Sequence, residues 1–375
     1  MDRHDQAYTY CAFCPKVCRF SCPVSEASHS ESLSAWGKMT AAHLVHEGKR
    51  PIDAGTSKAV HACTGCMRCS SFCKHENTVG DALFAAREET IKAGLQPKGS
   101  ASTLATFSQS QNPFGRELSS LVDTWKSDTP VRYPLFPGCS SLVKRPELIE
   151  DTLAVSRAFG APMGVAKVSS RCCGYPLYAA GSHDAFKEHA QANAAVLEHV
   201  PELSVLDPGC AFTFNVVYPQ FGVQLKTRIR TVVEVLADNL AHAPHHPPLE
   251  ETVGYHDACH LGRGLGQYDQ PRALLAKAVT KVTEAASIRR EGGCAGGGGL
   301  LPRTMPDVAV EVARRQAIEV AGAQGDVAVV TACATSKRMF ERAGRKSYDL
   351  MALLRRWADQ RPQPLGEPDQ KRGET

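Results

Sequence analysis

The chain has 375 residues, a formal net charge of +4 and an apolar fraction of 43%, which suits a soluble globular protein of roughly two or three domains. Its basic residues are scattered, so a nucleic-acid partner is not indicated. No stretch reaches the ~18 apolar residues of a membrane span, and MDRHDQAYTY has no apolar leader segment. The expected compartment is therefore the cytoplasm. In such a reducing setting, fifteen cysteines in ordered groups point to metal ligands rather than disulfides.

The first group is CAFCPKVCRFSCP at 11–23, spaced Cys11-x2-Cys14-x3-Cys18-x3-Cys22. Its middle is one residue longer than the usual bacterial ferredoxin run. Residues 34–48 then predict a helix with Ser34 as N-cap and Gly48 as its stop. The second group, CTGCMRCSSFCK, places Cys63, Cys66, Cys69 and Cys73 at ferredoxin spacing. A second helix is expected over 81–94. Three thiolates at x2 spacing wrap one cluster while the fourth serves a neighbour, so two such runs supply two [4Fe-4S] clusters with exchanged fourth ligands. On that logic Cys11, Cys14, Cys18 and Cys73 form one ligand set, and Cys63, Cys66, Cys69 and Cys22 the other. A zinc ribbon built from the C-x2-C pairs is the competing reading; it leaves Cys18, Cys22, Cys69 and Cys73 without a role. Forty residues between Cys22 and Cys63 favour an all-helical two-cluster ferredoxin-like domain over 1–95.

Gly, Ser, Gln and Pro enrich residues 96–130, which read as a linker. Beyond it, VRYPLFPG, LSVLDPG, TVGYHDA and DVAVVTA each give a short strand that leads into a cysteine: Cys139, Cys210, Cys259 and Cys333. Helical patterns such as TVVEVLADNL and SYDLMALLRRW follow. The fold class is therefore multidomain, the helical domain being followed by two repeated α/β units with parallel sheets. The cysteines fall at carboxyl ends of strands, where open α/β sheets bind ligands. The repeat is visible in the spacing: Cys139, Cys173 and Cys210 recur about 120 residues later as Cys259, Cys294 and Cys333. The units are placed at 131–241 and 252–360, joined by a Pro/His-rich linker at 242–251, with a disordered tail at 361–375. Gly262-Arg-Gly-Leu-Gly266 lacks dinucleotide-fingerprint spacing, and Gly296–Gly299 more readily serves a close backbone approach than a phosphate. Trp36 and Trp357 are expected in the core.

RCCGYPLY at 171–178, with PGC at 137–139 and DPGC at 207–210, resembles the cysteine-rich CCG domain. YHDACHLGR at 255–263, GGCAGGGG at 292–299 and TACATS at 331–336 look like a second, degenerate copy. The arrangement resembles the iron–sulfur subunit of glycolate oxidase, its counterpart in anaerobic glycerol-3-phosphate dehydrogenase, and the catalytic subunits of heterodisulfide reductase. In that family a full copy reads C…CCG…CxxC and can hold an unusual iron–sulfur cluster. Here the first copy keeps Cys139, Cys172, Cys173 and Cys210, with Thr213 in the last place. The second keeps Cys259, Cys294 and Cys333, with Gly293 and Ser336 in the other two. The resemblance implies a third Fe–S cluster on the first copy. For the second it leaves open a cluster with an open iron, a zinc with His256 or His260 as fourth ligand, or no metal.

No flavin or nicotinamide motif is present, so the first expectation is an iron–sulfur electron-transfer subunit rather than a complete enzyme. The resemblance implies a flavoprotein dehydrogenase subunit or an electron-transfer flavoprotein as partner, oxidising a 2-hydroxy acid, glycerol-3-phosphate or similar. A quinone or membrane partner is the implied acceptor, with peripheral contact at the inner membrane through such partners. The alternatives are a thiol–disulfide reductase of the heterodisulfide-reductase type, using a CCG-bound cluster, and a zinc-binding structural or regulatory protein.

Overall fold

The computed structural model describes residues 4–125 and 131–359. Up to residue 125 every regular element described is helical. Asp5–Ala12 carries the first cysteine, and Pro23–Ser28 begins directly after Cys22, with Pro23 in the first turn where its missing N–H costs nothing. Ser34 caps the helix Ala35–His46, its hydroxyl accepting from Gly37 N at 3.2 Å. Val79–Lys92 is the second expected helix, begun two residues earlier than the sequence suggested.

Two four-stranded parallel sheets follow. The first contains β1 (Tyr133–Phe136), β2 (Met163–Val165), β3 (Glu202–Val205) and β4 (Arg228–Thr231) in the order β2-β1-β3-β4. The second contains β5 (Leu249–His256), β6 (Val279–Thr283), β7 (Ala328–Thr331) and β8 (Ser347–Asp349) in the equivalent order β6-β5-β7-β8. All pairings are parallel. The duplicated cysteine spacing thus corresponds to a duplicated topology. The four cysteine-preceding segments expected as strands are β1, β3, β5 and β7, the two central strands of each sheet.

The sheets pack into a shared apolar core. Leu135, Val155 and Leu236 from the first unit join Tyr255, Leu275, Val330 and Leu354 from the second. Phe159 meets the fully buried Trp357 edge-on at 6.1 Å between ring centres. Trp36 is only half-buried; its Nε1 donates to Ala12 O. The helical domain contacts both units: Phe84 and Phe107 enter the core of the first, with Phe136, Tyr178 and Phe186. Val24, Ala27 and Ala62 enter that of the second, with Val312, Ala313 and Met339.

The segment expected as a linker is different. It holds two helices, Lys98–Ser110 and Leu118–Asp123, which bury Phe107, Leu118 and Val122. Its Ser- and Gln-rich composition belongs to the outer faces of these helices, and three apolar anchors suffice to fix it. The Pro/His-rich connector is shorter than expected, because β5 already begins at Leu249. The expected disordered tail lies outside the described residues, as do residues 126–130 of the linker. Among the described residues, no helix is long and apolar enough to cross a membrane.

Candidate functional site

The structure gathers the first eight cysteines around two cavities. Cys11, Cys14, Cys18 and Cys73 line one of them together with Tyr10, Trp36, His75 and Asn77. Asn77 Nδ2 donates to Cys11 Sγ at 3.0 Å and to Ala7 O at 2.9 Å. Burial and the neighbouring sulfurs push Cys11 up to about 12 and Cys18 up to about 11. The extra residue of the first run is absorbed by an outward loop. Lys16 takes a left-handed φ of 66°, its ammonium lying 3.7 Å over the Trp36 ring. Phe13, Val17 and Phe20 are left 77%, 56% and 57% exposed around this outer site.

Cys22, Cys63, Cys66 and Cys69 line a second, inner cavity with Lys38, and Cys69 borders the outer one as well. Lys38 is 2% exposed; its Nζ donates to Cys22 Sγ at 3.4 Å and to Ala62 O at 2.9 Å. Burial alone would lower its pKa, but the thiolates of Cys22, Cys63 and Cys69 outweigh that and the net direction is upward. Burial pushes Cys69 well up, and the adjacent sulfurs of Cys66, Cys63 and Cys22 add to it. Sulfurs that raise one another's pKa in a buried space need a bound cation before all can be thiolates. All fifteen cysteines are free thiols in the structure. Among the described residues, no three His, Cys, Asp or Glu side chains converge as a single ion's ligands do. Four soft donors spread around each cavity fit a cube of several irons.

A third constellation lies between the α/β units, at the carboxyl ends of their central strands. Cys139 follows β1 through Gly138, whose φ of 84° disfavours a side chain and where a Cβ would sit a tight 3.2 Å from Cys210 Sγ. Cys139 Sγ donates to Cys172 Sγ at 3.5 Å. Cys173 interacts with Cys172, Cys210 and the Tyr175 backbone, which hold its pKa well below the usual thiol range. The contacts with Cys139 and then Cys173 push Cys172 upward, and the contact with Cys173 pushes Cys210 upward. Thr213 is no vacancy: it is fully buried beside Cys173, and its hydroxyl donates to Gly209 O.

In the second unit a Cβ on Gly293 would fall 1.3 Å from Gln316 Oε1, so the buried Gln316 occupies the space of the missing cysteine. Ser336 bonds to Cys333. His260 lines the cavity, stacked on Phe212 at 4.5 Å. His256 is buried behind it, with Nδ1 3.0 Å from Thr331 Oγ1. The four cysteines of the first copy and the three of the second face one cavity of about 240 Å³. A larger cavity of about 430 Å³, between Tyr8, Val60, Glu89 and Phe221, is lined by no cysteine.

The inner site and the inter-repeat cavity adjoin. The Cys66 and Cys294 thiols interact directly, and Cys294 Sγ lies 3.7 Å from Thr64 Oγ1. Residues 63–66 press onto the glycine run: a Cβ on Gly298 would meet Thr64 O at 2.3 Å, and one on Gly299 would meet Cys63 O at 2.1 Å. Two arginines pin the junction. Arg263 donates to Cys66 O at 2.7 Å and to Gly292 O at 2.6 Å. Buried Arg87 donates to Val60 O, Cys63 O, Ala179 O and Gly299 O, joining the helical domain to both units. Sequence reasoning missed Lys38, Arg87, Arg263 and Gln316. For Lys38 a signal existed: it lies on the apolar stripe formed by Ala35, Met39 and Ala42, where a solvated lysine has no place.

Comparison with known proteins agrees with this geometry. A model described as a cysteine-rich domain (CCG) matches residues 133–215 and again 253–341, and one described as a 4Fe-4S dicluster domain matches 7–77. The chain belongs to the iron–sulfur proteins that join a dicluster domain to paired CCG domains. Within this heterodisulfide reductase-like family, it is 26% identical over 281 residues to a fumarate reductase (CoM/CoB) subunit of Methanothermobacter marburgensis, covering 74% of this chain and 56% of that one. It is 26% identical over 293 residues to a subunit of the dihydromethanophenazine:CoB–CoM heterodisulfide reductase of Methanosarcina mazei, covering 74% and 71%. It is 25% identical over 267 residues to the EtfAB:quinone oxidoreductase of Syntrophomonas wolfei, covering 66% and 37%. The chain thus spans little more than half of the first relative and about a third of the last. The dicluster domain implies two [4Fe-4S] clusters, and the two thiol-lined cavities fit them.

Proposed function

We propose that the chain is the iron–sulfur electron-transfer subunit of an oxidoreductase complex, carrying single electrons between a flavin-containing partner and an acceptor such as a quinone. When bound, a [4Fe-4S] cluster supplies reversible one-electron transfer. The observation that carries the proposal is the junction, where the ligand loop 63–66 lies against the inter-repeat cavity, Cys294 Sγ donating to Thr64 Oγ1 at 3.7 Å and Arg263 joining Cys66 O to Gly292 O. On this reading Cys11, Cys14, Cys18 and Cys73 hold the outer cluster, at the exposed end beside Phe13, Val17 and Phe20. Cys63, Cys66, Cys69 and Cys22 hold the inner one. Asn77 and Lys38 orient Cys11 and Cys22, while the loop 63–66 carries the inner set against the CCG pair. Cys139, Cys172, Cys173 and Cys210 are the proposed ligands of a further cluster. Cys259, Cys294 and Cys333 form a reduced site in which Gln316 replaces a donor.

The partner class rests on the flavoprotein-linked name of the Syntrophomonas relative and on the absence of a flavin motif from this sequence. The test is anaerobic mixing of the oxidised full chain with a photoreduced electron-transfer flavoprotein. Rapid bleaching of the iron–sulfur absorption, recovered on adding a water-soluble quinone, is expected. A chain reduced by dithionite but inert to the reduced flavoprotein contradicts the proposal.

A second reading, thiol–disulfide reduction in the inter-repeat cavity, draws on Cys173, whose contacts lower its pKa beside open space. It requires the EPR spectrum to change when a small disulfide is added to the reduced chain; an unaltered spectrum removes it. The zinc reading fits less well, because the thiols ring cavities instead of converging on one ion.

A further inference from the structure

We infer that Lys38 is the built-in counter-ion of the inner cluster and sets the reduction potential of that site above the potential of the outer one. The inference rests on the two-cluster reading and adds an ordering that the reading does not contain. A lysine that is 2% exposed normally has a carboxylate partner, because an unpaired ammonium in a dry interior is costly. Among the described residues Lys38 forms no ion pair with a carboxylate. Its ammonium donates to Ala62 O and Cys22 Sγ, and it lines the cavity ringed by Cys22, Cys63, Cys66 and Cys69. The negative charge that balances it must therefore come from the four thiolates and what they hold.

The two sites differ sharply in this respect. Around the inner one, Lys38 is joined by Arg87 on Cys63 O and Arg263 on Cys66 O, giving three cations within one hydrogen bond of the ligand loops. At the outer site the donor to a ligand sulfur is the neutral amide of Asn77. The cation lining that cavity, Lys16, has a side chain 37% exposed and shared with Glu31 at 3.8 Å. Adding an electron makes a thiolate-ligated site more negative, so a nearby positive charge favours reduction. Charge, hydrogen bonding to sulfur and solvent exposure are the protein's means of setting such potentials. Exposure favours reduction at the outer site and so works against the proposed order. A full charge 3.4 Å from a ligand sulfur in a dry interior outweighs it, since water screens Lys16 and not Lys38. An electron entering at the exposed outer site then descends to the inner one, beside the CCG cavity.

The test is EPR-monitored redox titration of the anaerobically purified full chain, with Lys38→Met and Lys38→Arg beside the wild type. Cys66→Ala identifies the inner signal by removing it. In the wild type the inner site should have the higher midpoint. Lys38→Met should lower that midpoint by at least a tenfold change in the equilibrium constant, 59 mV for one electron, and leave the outer one in place. Lys38→Arg should retain most of the wild-type value. Two intact clusters with unmoved midpoints in Lys38→Met overturn the role of Lys38 and leave the two-cluster reading standing. A wild type without two clusters overturns that reading itself. If Lys38→Met loses iron, Lys38→Arg decides: retention of the inner cluster supports the counter-ion role, and its loss overturns it.

Discussion

Arg87 is the single side chain whose removal should disturb the assembly most. Its guanidinium is fully buried and donates to carbonyls in three parts of the molecule, at 3.0 Å to Val60 O, 2.7 Å to Cys63 O and 2.8 Å to Gly299 O, with Ala179 O as the fourth. Burial lowers its pKa to about 10, still far above neutrality, so the group is a cation in the folded protein. Arg87→Met keeps the apolar stem, deletes every donor and removes the guanidinium that lies 4.3 Å over the Phe84 ring. A buried carbonyl left without its donor costs about 1–3 kcal/mol. The desolvation of the guanidinium, which the variant no longer suffers, offsets part of this. With four carbonyls losing this donor and the offset taken off, the net loss is about 3–5 kcal/mol, against a typical total of about 5–15 kcal/mol. Taking a slope of about 3 kcal/mol per molar urea, the midpoint should fall by about 1–1.7 M in anaerobic unfolding followed by circular dichroism. Arg87→Lys should recover only a small part, since an ammonium cannot span four diverging acceptors. A midpoint of Arg87→Met within about 0.2 M of wild type would refute the reasoning, since about 0.6 kcal/mol is what an ordinary surface change produces.

Further consequences can be checked in the same preparations. Gly299→Ala places a Cβ 2.1 Å from Cys63 O at a φ of 59°, where neither the backbone nor the carbonyl can yield. A cost of about 2–4 kcal/mol from strain and overpacking is expected, with selective loss of the inner EPR signal; a normal spectrum and midpoint would contradict the tight junction. Cys66→Ala should remove one cluster, read as about four irons fewer per chain, and an unchanged iron count would show that the inner set is wrongly assigned. Gly293→Cys alone should destabilise the chain through its clash with Gln316, whereas Gly293→Cys with Gln316→Ala should fold and gain iron in the second unit. Equal iron in the double variant and wild type would show that the missing donor is not what limits that site. Burial raises the Asp349 carboxyl from 3.8 to about 7, so the folded state holds its proton more tightly than the unfolded chain. The associated stability is present below pH about 4 and is lost as pH rises to about 7, by at most about 4 kcal/mol. Asp349→Asn, which can still accept from Met351 N, should flatten that fall in urea midpoints measured at pH about 5 and about 8. An identical pH dependence in the variant would exclude Asp349 as its source.

Much of the fold was legible because it is written in local patterns. The cysteines after TVGYHDA and DVAVVTA sit at strand ends, since a β-branched run stopped by turn chemistry reads the same in the chain as in the sheet. Edge strands were not recognised: β8 has three residues and β4, RIRT, carries two arginines, so neither presents an apolar run. The supposed linker misled because composition averages over faces, and Phe107, Leu118 and Val122 are few among many serines. That the first eight cysteines gather in space was legible because their spacing is a local constraint. What surrounds them was not, since Lys38, Arg87, Arg263 and Gln316 act on partners far along the chain. Gly293 and Thr213 looked like the same kind of loss in the sequence. In the structure one is filled by a glutamine from another helix, and the other is a buried hydroxyl that donates to Gly209 O.

The most direct test of the two-cluster electron-transfer assignment is a count of iron, acid-labile sulfide and zinc in the anaerobically purified chain, with EPR after reduction. The structure leads us to expect a brown protein with at least about eight irons and matching sulfide, four per thiolate set, and two reducible signals. A colourless protein holding stoichiometric zinc, or one with iron for a single cluster, would contradict it.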